Sequence, residues 1–101
     1  MNKQALNMLG LCMRAGRMVS GEQSCLNAIR RGTACLMLVD ESASDNTKKM
    51  FSDSCAYYEV DFITTPQDTL GYAIGKPGRK VAAITDMSFA ERIQQLAGRE
   101  A

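Results

Sequence analysis

Five consecutive apolar residues, Cys35-Leu36-Met37-Leu38-Val39, constrain this chain more than any other stretch. A run that short between polar neighbours is a strand, and a strand without polar alternation must be covered on both faces. The rest of the chain has to supply that cover. Residues 3–15 place Ala5, Met8, Leu9, Cys12 and Met13 on one helical face, with Gly16 as a C-terminal cap. Gly10 inside this pattern costs about 1 kcal/mol relative to alanine and marks a close helix contact. Residues 45–58 place Thr47, Met50, Phe51, Ser54, Cys55 and Tyr58 on another face, with Ser44 or Asp45 as cap.

Val60–Thr64 and Val81–Thr85 read as further strands. Thr65-Pro66-Gln67-Asp68 reads as a helix start, with a threonine cap and proline at the first helical position, and that helix stops at Gly75. Asp86 caps a last helix carrying Phe89, Ile93 and Leu96, with Gly98 past its end. Helix and strand alternate throughout, so the expected fold is α/β, a small sheet with helices on both faces, in one domain spanning residues 1–101.

Between the first helix and the apolar run lies Arg17-Met18-Val19-Ser20-Gly21-Glu22-Gln23-Ser24-Cys25-Leu26-Asn27-Ala28-Ile29-Arg30-Arg31-Gly32. It reads as a very short strand, a glycine turn and a helix closed by Gly32. Ser20 and Gln23 have the spacing of a capping box. The exposed amides and positive dipole end of a helix N-terminus suit an anion, and here that end is lined by Ser20, Glu22, Gln23, Ser24 and Asn27. An ordinary surface helix with an ordinary cap would read the same way.

Several function classes lack their parts. The chain has no histidine, so the side chain most easily poised as a general base is missing. The best catalytic candidates, Asp40 and Glu41 at a strand end, read better as a solvated turn capping the next helix. Gly71-x-x-x-Gly75-Lys76 lacks phosphate-loop spacing. Cys12, Cys25, Cys35 and Cys55 fall at apolar positions without Cys-x-x-Cys spacing, which reads as buried free thiols in a reducing compartment and not as a zinc site. No apolar run nears the ~18 residues of a membrane span and no signal peptide opens the chain, so the expectation is a cytoplasmic protein.

Charge is segregated although the net is only +1. Residues 1–33 carry five basic groups against Glu22, residues 34–63 carry Lys48 and Lys49 against six acids, and residues 64–101 are nearly balanced. Such segregation fits one basic face meeting a polyanion, or a scatter of solvated charge. Two elements suit nucleic acid: the polar helix start after Ser20, whose Gln and Asn can pair with base edges, and the loop Lys76-Pro77-Gly78-Arg79-Lys80, whose cations suit phosphates. The three Phe and three Tyr fall mostly at core spacing, which favours a folded RNA read by shape over stacking on single strands.

A set of motifs, in order, resembles the large-subunit ribosomal protein family L7Ae/L30e, in its stand-alone bacterial, YlxQ-like branch. They are Ser20-Gly21-Glu22 opening a helix that ends Ala28-Ile29-Arg30-Arg31-Gly32, Leu36-Met37-Leu38-Val39 before Asp40-Glu41, Asn46-Thr47 before Lys48-Lys49, Leu70-Gly71-Tyr72-Ala73-Ile74-Gly75-Lys76, and Ala83-Ile84-Thr85-Asp86. The resemblance covers residues 4 to 97. It implies a three-layer α/β/α sandwich with a four-stranded mixed sheet and a non-enzymatic, ribosome-associated protein. It also implies binding of kink-turn or kink-turn-like RNA, with no cofactor, metal, membrane or small-molecule substrate, as a monomer. In that family the turn and first part of the second helix enter the major groove at the kink. This role carries over to Gly21, Glu22, Gln23, Ser24 and Asn27; Ser20, Arg17, Lys76, Arg79 and Lys80 complete the candidate RNA site on the chain's own residues. Strong kink-turn binders carry Asn, Glu and Lys where this chain has Gln23, Ser24 and Asn27, and an apolar loop where it has Lys76–Lys80, so the expected selectivity is altered. The alternative is a protein-interaction module that kept the fold, with acidic Asp45, Asp53 and Glu59 facing a basic partner.

Overall fold

The computed structural model describes residues 1–98; Arg99, Glu100 and Ala101 lie outside the described residues. The elements are α1 (Lys3–Arg14), β1 (Met18–Ser20), α2 (Glu22–Arg31), β2 (Leu36–Asp40), α3 (Asp45–Tyr58), β3 (Asp61–Thr65), α4 (Leu70–Ala73), β4 (Val81–Ile84) and α5 (Met87–Gly98). The strands form one sheet in the order β1-β4-β2-β3. β2 runs parallel to β3 and antiparallel to β4, and β4 runs antiparallel to β1, so the sheet is mixed.

The apolar run fills the central position its composition demands. Leu36, Met37, Leu38 and Val39 are all fully buried, and successive side chains serve opposite faces. Leu36 and Leu38 join Leu9 and Cys12 of α1, Leu70 and Ile74 beside α4, and Ala90 and Ile93 of α5. Met37 and Val39 join Cys25, Ala28 and Ile29 of α2 and Phe51 and Cys55 of α3. Each such side chain contributes about 1.5–3 kcal/mol relative to exposure. β4 divides in the same way, with Ala82 and Ile84 on the first face and Val81 and Ala83 on the second. The result is the α/β/α sandwich, α1, α4 and α5 below the sheet and α2 and α3 above it.

Gly10 does mark a close contact. A Cβ there would stand 2.7 Å from the Ala73 carbonyl oxygen, so α1 and α4 approach at a distance only glycine permits. Ser44 caps α3 through its hydroxyl, which accepts from the Thr47 amide at 3.1 Å, and Asp86 caps α5 by accepting from Phe89 at 3.0 Å. All four cysteines are free thiols, three of them buried and Cys35 half-buried.

Three local expectations are corrected. Ser20 is the last residue of β1, paired opposite Ala82, and does not cap α2; Gly21 is the N-cap, and among the described residues no side chain bonds to that end. The capping box loses to strand pairing. Thr65 ends β3 and does not start a helix: residues 66–69 form a turn, and α4 begins at Leu70. Tyr58 leaves the inward face of α3 and is 43% exposed, packed edge-on against Tyr57.

Asp40 explains the second correction. It is fully buried at the end of β2, and the parallel register sets it opposite Thr65. One carboxylate oxygen accepts from the Thr65 hydroxyl (2.8 Å) and the amides of Thr69 (3.1 Å) and Leu70 (3.0 Å). The other accepts from the amides of Ser42 (3.0 Å) and Asp68 (2.7 Å) and from the Ser42 hydroxyl. Asp40 therefore caps α4, across the sheet end, and not the α3 that follows it in sequence. Burial pushes its carboxyl up, but the bonds from Ser42, Leu70 and Asp68 outweigh that and hold it far below the ordinary carboxylate range. It is a structural anion.

Candidate nucleic-acid interface

The sheet end that holds Asp40 also gathers the N-terminus of α2 and the α4–β4 loop. Antiparallel pairing of β1 with β4 brings Ser20 beside Ala82, and the Gly21 amide donates to the Val81 carbonyl at 3.1 Å. The chain must then turn sharply into α2. Gly21 does so at φ 93°, ψ 153°, a conformation open to glycine and strained for any side chain. Its carbonyl accepts the Cys25 amide at 3.0 Å, while the first-turn amides of Glu22, Gln23 and Ser24 receive no side-chain cap.

The Arg79 guanidinium lies directly over Gly21, where a Cβ would overlap it. Gly78, at φ 93°, makes the turn that aims this side chain, and the Arg79 amide donates to the Lys76 carbonyl at 3.1 Å. Among the described residues Arg79 has no side-chain hydrogen bond or ion pair. Below Gly21, burial pushes the Cys25 thiol up to about 12, with the nearby Arg79 charge pulling down and Cys55 pushing up. A cation thus sits at the positive end of a helix dipole, beside the first-turn acid Glu22.

The remaining polar groups are partly pre-organised. The Gln23 amide donates to the Asn27 side-chain oxygen at 3.1 Å. A Glu22 carboxylate oxygen accepts from the Thr47 hydroxyl at 3.4 Å, tying α2 to the capped start of α3. Lys80 donates to the Ser42 hydroxyl at 2.7 Å and pairs with Asp68 at 3.3 Å, so its charge is partly neutralised and its position follows from the Asp40 network. Lys76 is exposed. Ser24 and Asn27 open onto a shallow hollow shared with Arg31, Thr33 and Thr85.

Gly21, Glu22, Gln23, Ser24, Arg79 and Lys80 are thus brought to one end of the sheet, with Ser20 in the strand beneath. Arg17 is not. It precedes the other end of β1 and stands 4.0 Å from Asp86. Two groups escaped the sequence reading. Arg31 continues the stripe of Ser24 and Asn27 at helical spacing, a signal that was available. Tyr72, one of the six aromatics that fall mostly at core spacing, is 75% exposed.

The pattern of the whole chain decides the relationship: the profile of the ribosomal protein L7Ae/L30e/S12e/Gadd45 family matches residues 3–93. The chain belongs to that family. Among its relatives, an RNA-binding protein YlxQ of Enterococcus faecium is 40% identical over 95 residues, covering 93% of this chain and 91% of that protein. An RNA-binding protein YlxQ of Bacillus subtilis (strain 168) is 42% identical over 90 residues, 88% of this chain and 90% of that protein. A protein of unknown function from Bacillus halodurans C has a solved structure that superposes with a TM-score of 0.89 at 30% identity, over 94% of this chain and 97% of that one. The Giardia lamblia 15.5kD RNA binding protein superposes with a TM-score of 0.76 at 19% identity, over 98% and 89%, a likeness of fold. Among the described residues, no helix is long and apolar enough to cross a membrane.

Proposed function

We propose that this member of the L7Ae/L30e/S12e/Gadd45 family is a non-enzymatic, cytoplasmic RNA-binding protein that takes structured RNA of the kink-turn kind at the sheet end formed by Gly21, Gln23, Ser24, Asn27 and Arg79. The observation that carries this reading is the unpaired Arg79 guanidinium over the uncapped N-terminus of α2. Guanidinium and helix end both attract negative charge, and a phosphate lying between them would satisfy both at once. The space a side chain would take at Gly21 is filled by the Arg79 guanidinium, so a phosphate arriving there would meet guanidinium and helix end together. Gln23 and Asn27 then face whatever bases flank that phosphate, already bonded to one another, which lowers the entropy lost on binding. Lys76 and Lys80 extend the basic rim. The YlxQ relatives, named as RNA-binding proteins, support the same reading.

The test is a titration at roughly physiological salt of a kink-turn RNA against a plain duplex of equal length. Wild type should prefer the kink. Arg79→Gln should weaken binding about tenfold or more, the worth of a charge-assisted bond, and reduce the salt slope by about one. Gln23→Ala should erode the preference for the kink. Equal affinity for the two RNAs, unmoved by either substitution, would refute the assignment and turn attention to a protein partner.

A further inference from the structure

Tyr72 stands between two hollows. One lies on the proposed RNA face and is lined by Asp68, Gly71, Gly78, Arg79 and Lys80. The other is a groove of about 460 Å³ between α1 and α4, within the range of small-ligand sites, and Tyr72 and Asp68 belong to both. Gly10 and Ala73, where the two helices approach closely, are part of its lining. Its rim carries Asn7 and Thr69, and the Arg14 guanidinium folds back over its floor, 3.2 Å from where a Gly10 Cβ would stand. The Arg14 side chain has no hydrogen bond or ion pair among the described residues. Asp68, the groove's acid, is already paired with Lys80.

An exposed aromatic ring flanked by a free guanidinium and an amide has the chemistry of a nucleotide site: base on the ring, phosphate on the cation, base edge on the amide. The other exposed tyrosines lack that setting. Tyr57 and Tyr58 pack edge-on against each other, centroids 4.8 Å apart, in the acidic middle of the chain beside Glu59. We propose that the α1–α4 groove takes an unpaired nucleotide of the bound RNA, with the base stacked on Tyr72 and the phosphate held by Arg14. The assignment rests on the RNA reading of the Gly21 site, from which a strand crossing Arg79 and Lys80 arrives next at Tyr72. It adds to that site a contact with an unpaired extension of the RNA.

The full chain is titrated with a kink-turn RNA and with the same RNA whose bulge is lengthened by a few adenosines. Wild type should bind the lengthened RNA about 5- to 100-fold more tightly, the range of one stacked base. Tyr72→Leu and Arg14→Gln should remove most of that gain, Arg14→Gln with affinity for the parent RNA unchanged, and Tyr72→Phe should keep it. Both side chains are exposed, so all three variants should fold. No gain from the adenosines, or a gain that survives Tyr72→Leu, would overturn the groove assignment with the Gly21 reading intact. Loss of kink preference, with an adenosine gain that still requires Tyr72, would overturn the Gly21 reading alone. Failure to bind either RNA would overturn both.

Discussion

Asp40→Asn should be among the most destabilising conservative substitutions in this protein. The change keeps size and shape and removes one acceptor oxygen. If the amide oxygen stays toward Thr65, Thr69 and Leu70, the new NH₂ faces the amides of Ser42 and Asp68, which are donors themselves. Two N–H groups lose their acceptor, and the opposite flip strands a different set. Each such loss costs about 1–3 kcal/mol, so the expected penalty is about 2–5 kcal/mol, a large share of the roughly 5–15 kcal/mol that stabilises a domain. Urea unfolding followed by circular dichroism should show it at neutral pH, with a Tm lower by about 10–25 °C. Acid supplies an internal check. Because the folded Asp40 carboxyl is held low, its stabilisation is complete above the unfolded value of about 4 and is lost as pH falls through and below that value toward the folded one. The gap between wild type and Asp40→Asn should therefore narrow by about 1 kcal/mol at pH 3. A penalty under about 1 kcal/mol at pH 7, or a gap that widens in acid, would refute the account of Asp40 as the anion that anchors α4.

Gly10→Ala should lower stability even though alanine is the better helix former by about 1 kcal/mol, because its Cβ would meet the Ala73 carbonyl at 2.7 Å and force α1 from α4 at a cost of about 1–3 kcal/mol. A urea midpoint at or above wild type would show that the contact yields freely. Thiol labelling at pH 8 should find one fast cysteine per folded chain, Cys35, and all four in denaturant. Cys12 is pushed to about 11, chiefly by burial and further by Asp86, Cys25 to about 12, again chiefly by burial, and Cys55 to about 11 by burial, so each stays protonated and shielded. A second fast thiol in the folded state would contradict that packing.

The fold was legible because its decisive signal is local. An unbroken apolar run at residues 35–39 can only be a strand buried on both sides, and the helical periodicities beside it say what buries it. Caps at Ser44 and Asp86 were equally local and equally readable. Ser20, Thr65 and Asp40 were misread because they answer to partners distant in sequence. Ser20 has the spacing of a cap, but Ala82 claims it for the sheet. Thr65 precedes a proline as a cap would, but parallel register hands its hydroxyl to Asp40, 25 residues earlier. Asp40 looks like a turn residue because nothing near it shows that Asp68, Thr69 and Leu70 need an acceptor. At the candidate interface the polar lining of α2 could be read from spacing. The position of Arg79 over Gly21 could not, since it depends on how β4 pairs with β1. Arg17, close to Gly21 in sequence, is carried to the far end of the same strand.

That pairing of β1 with β4 also sets an order of events during synthesis. In the sheet β1 touches no strand except β4, so Gly21 is fixed in its turn only after Val81–Ile84 have been made and docked. A nascent chain carrying residues 20–27 alone would have the amides without the guanidinium and without the frame that holds them. RNA capture at this site would then report that translation has passed β4, and a truncated chain would be silent.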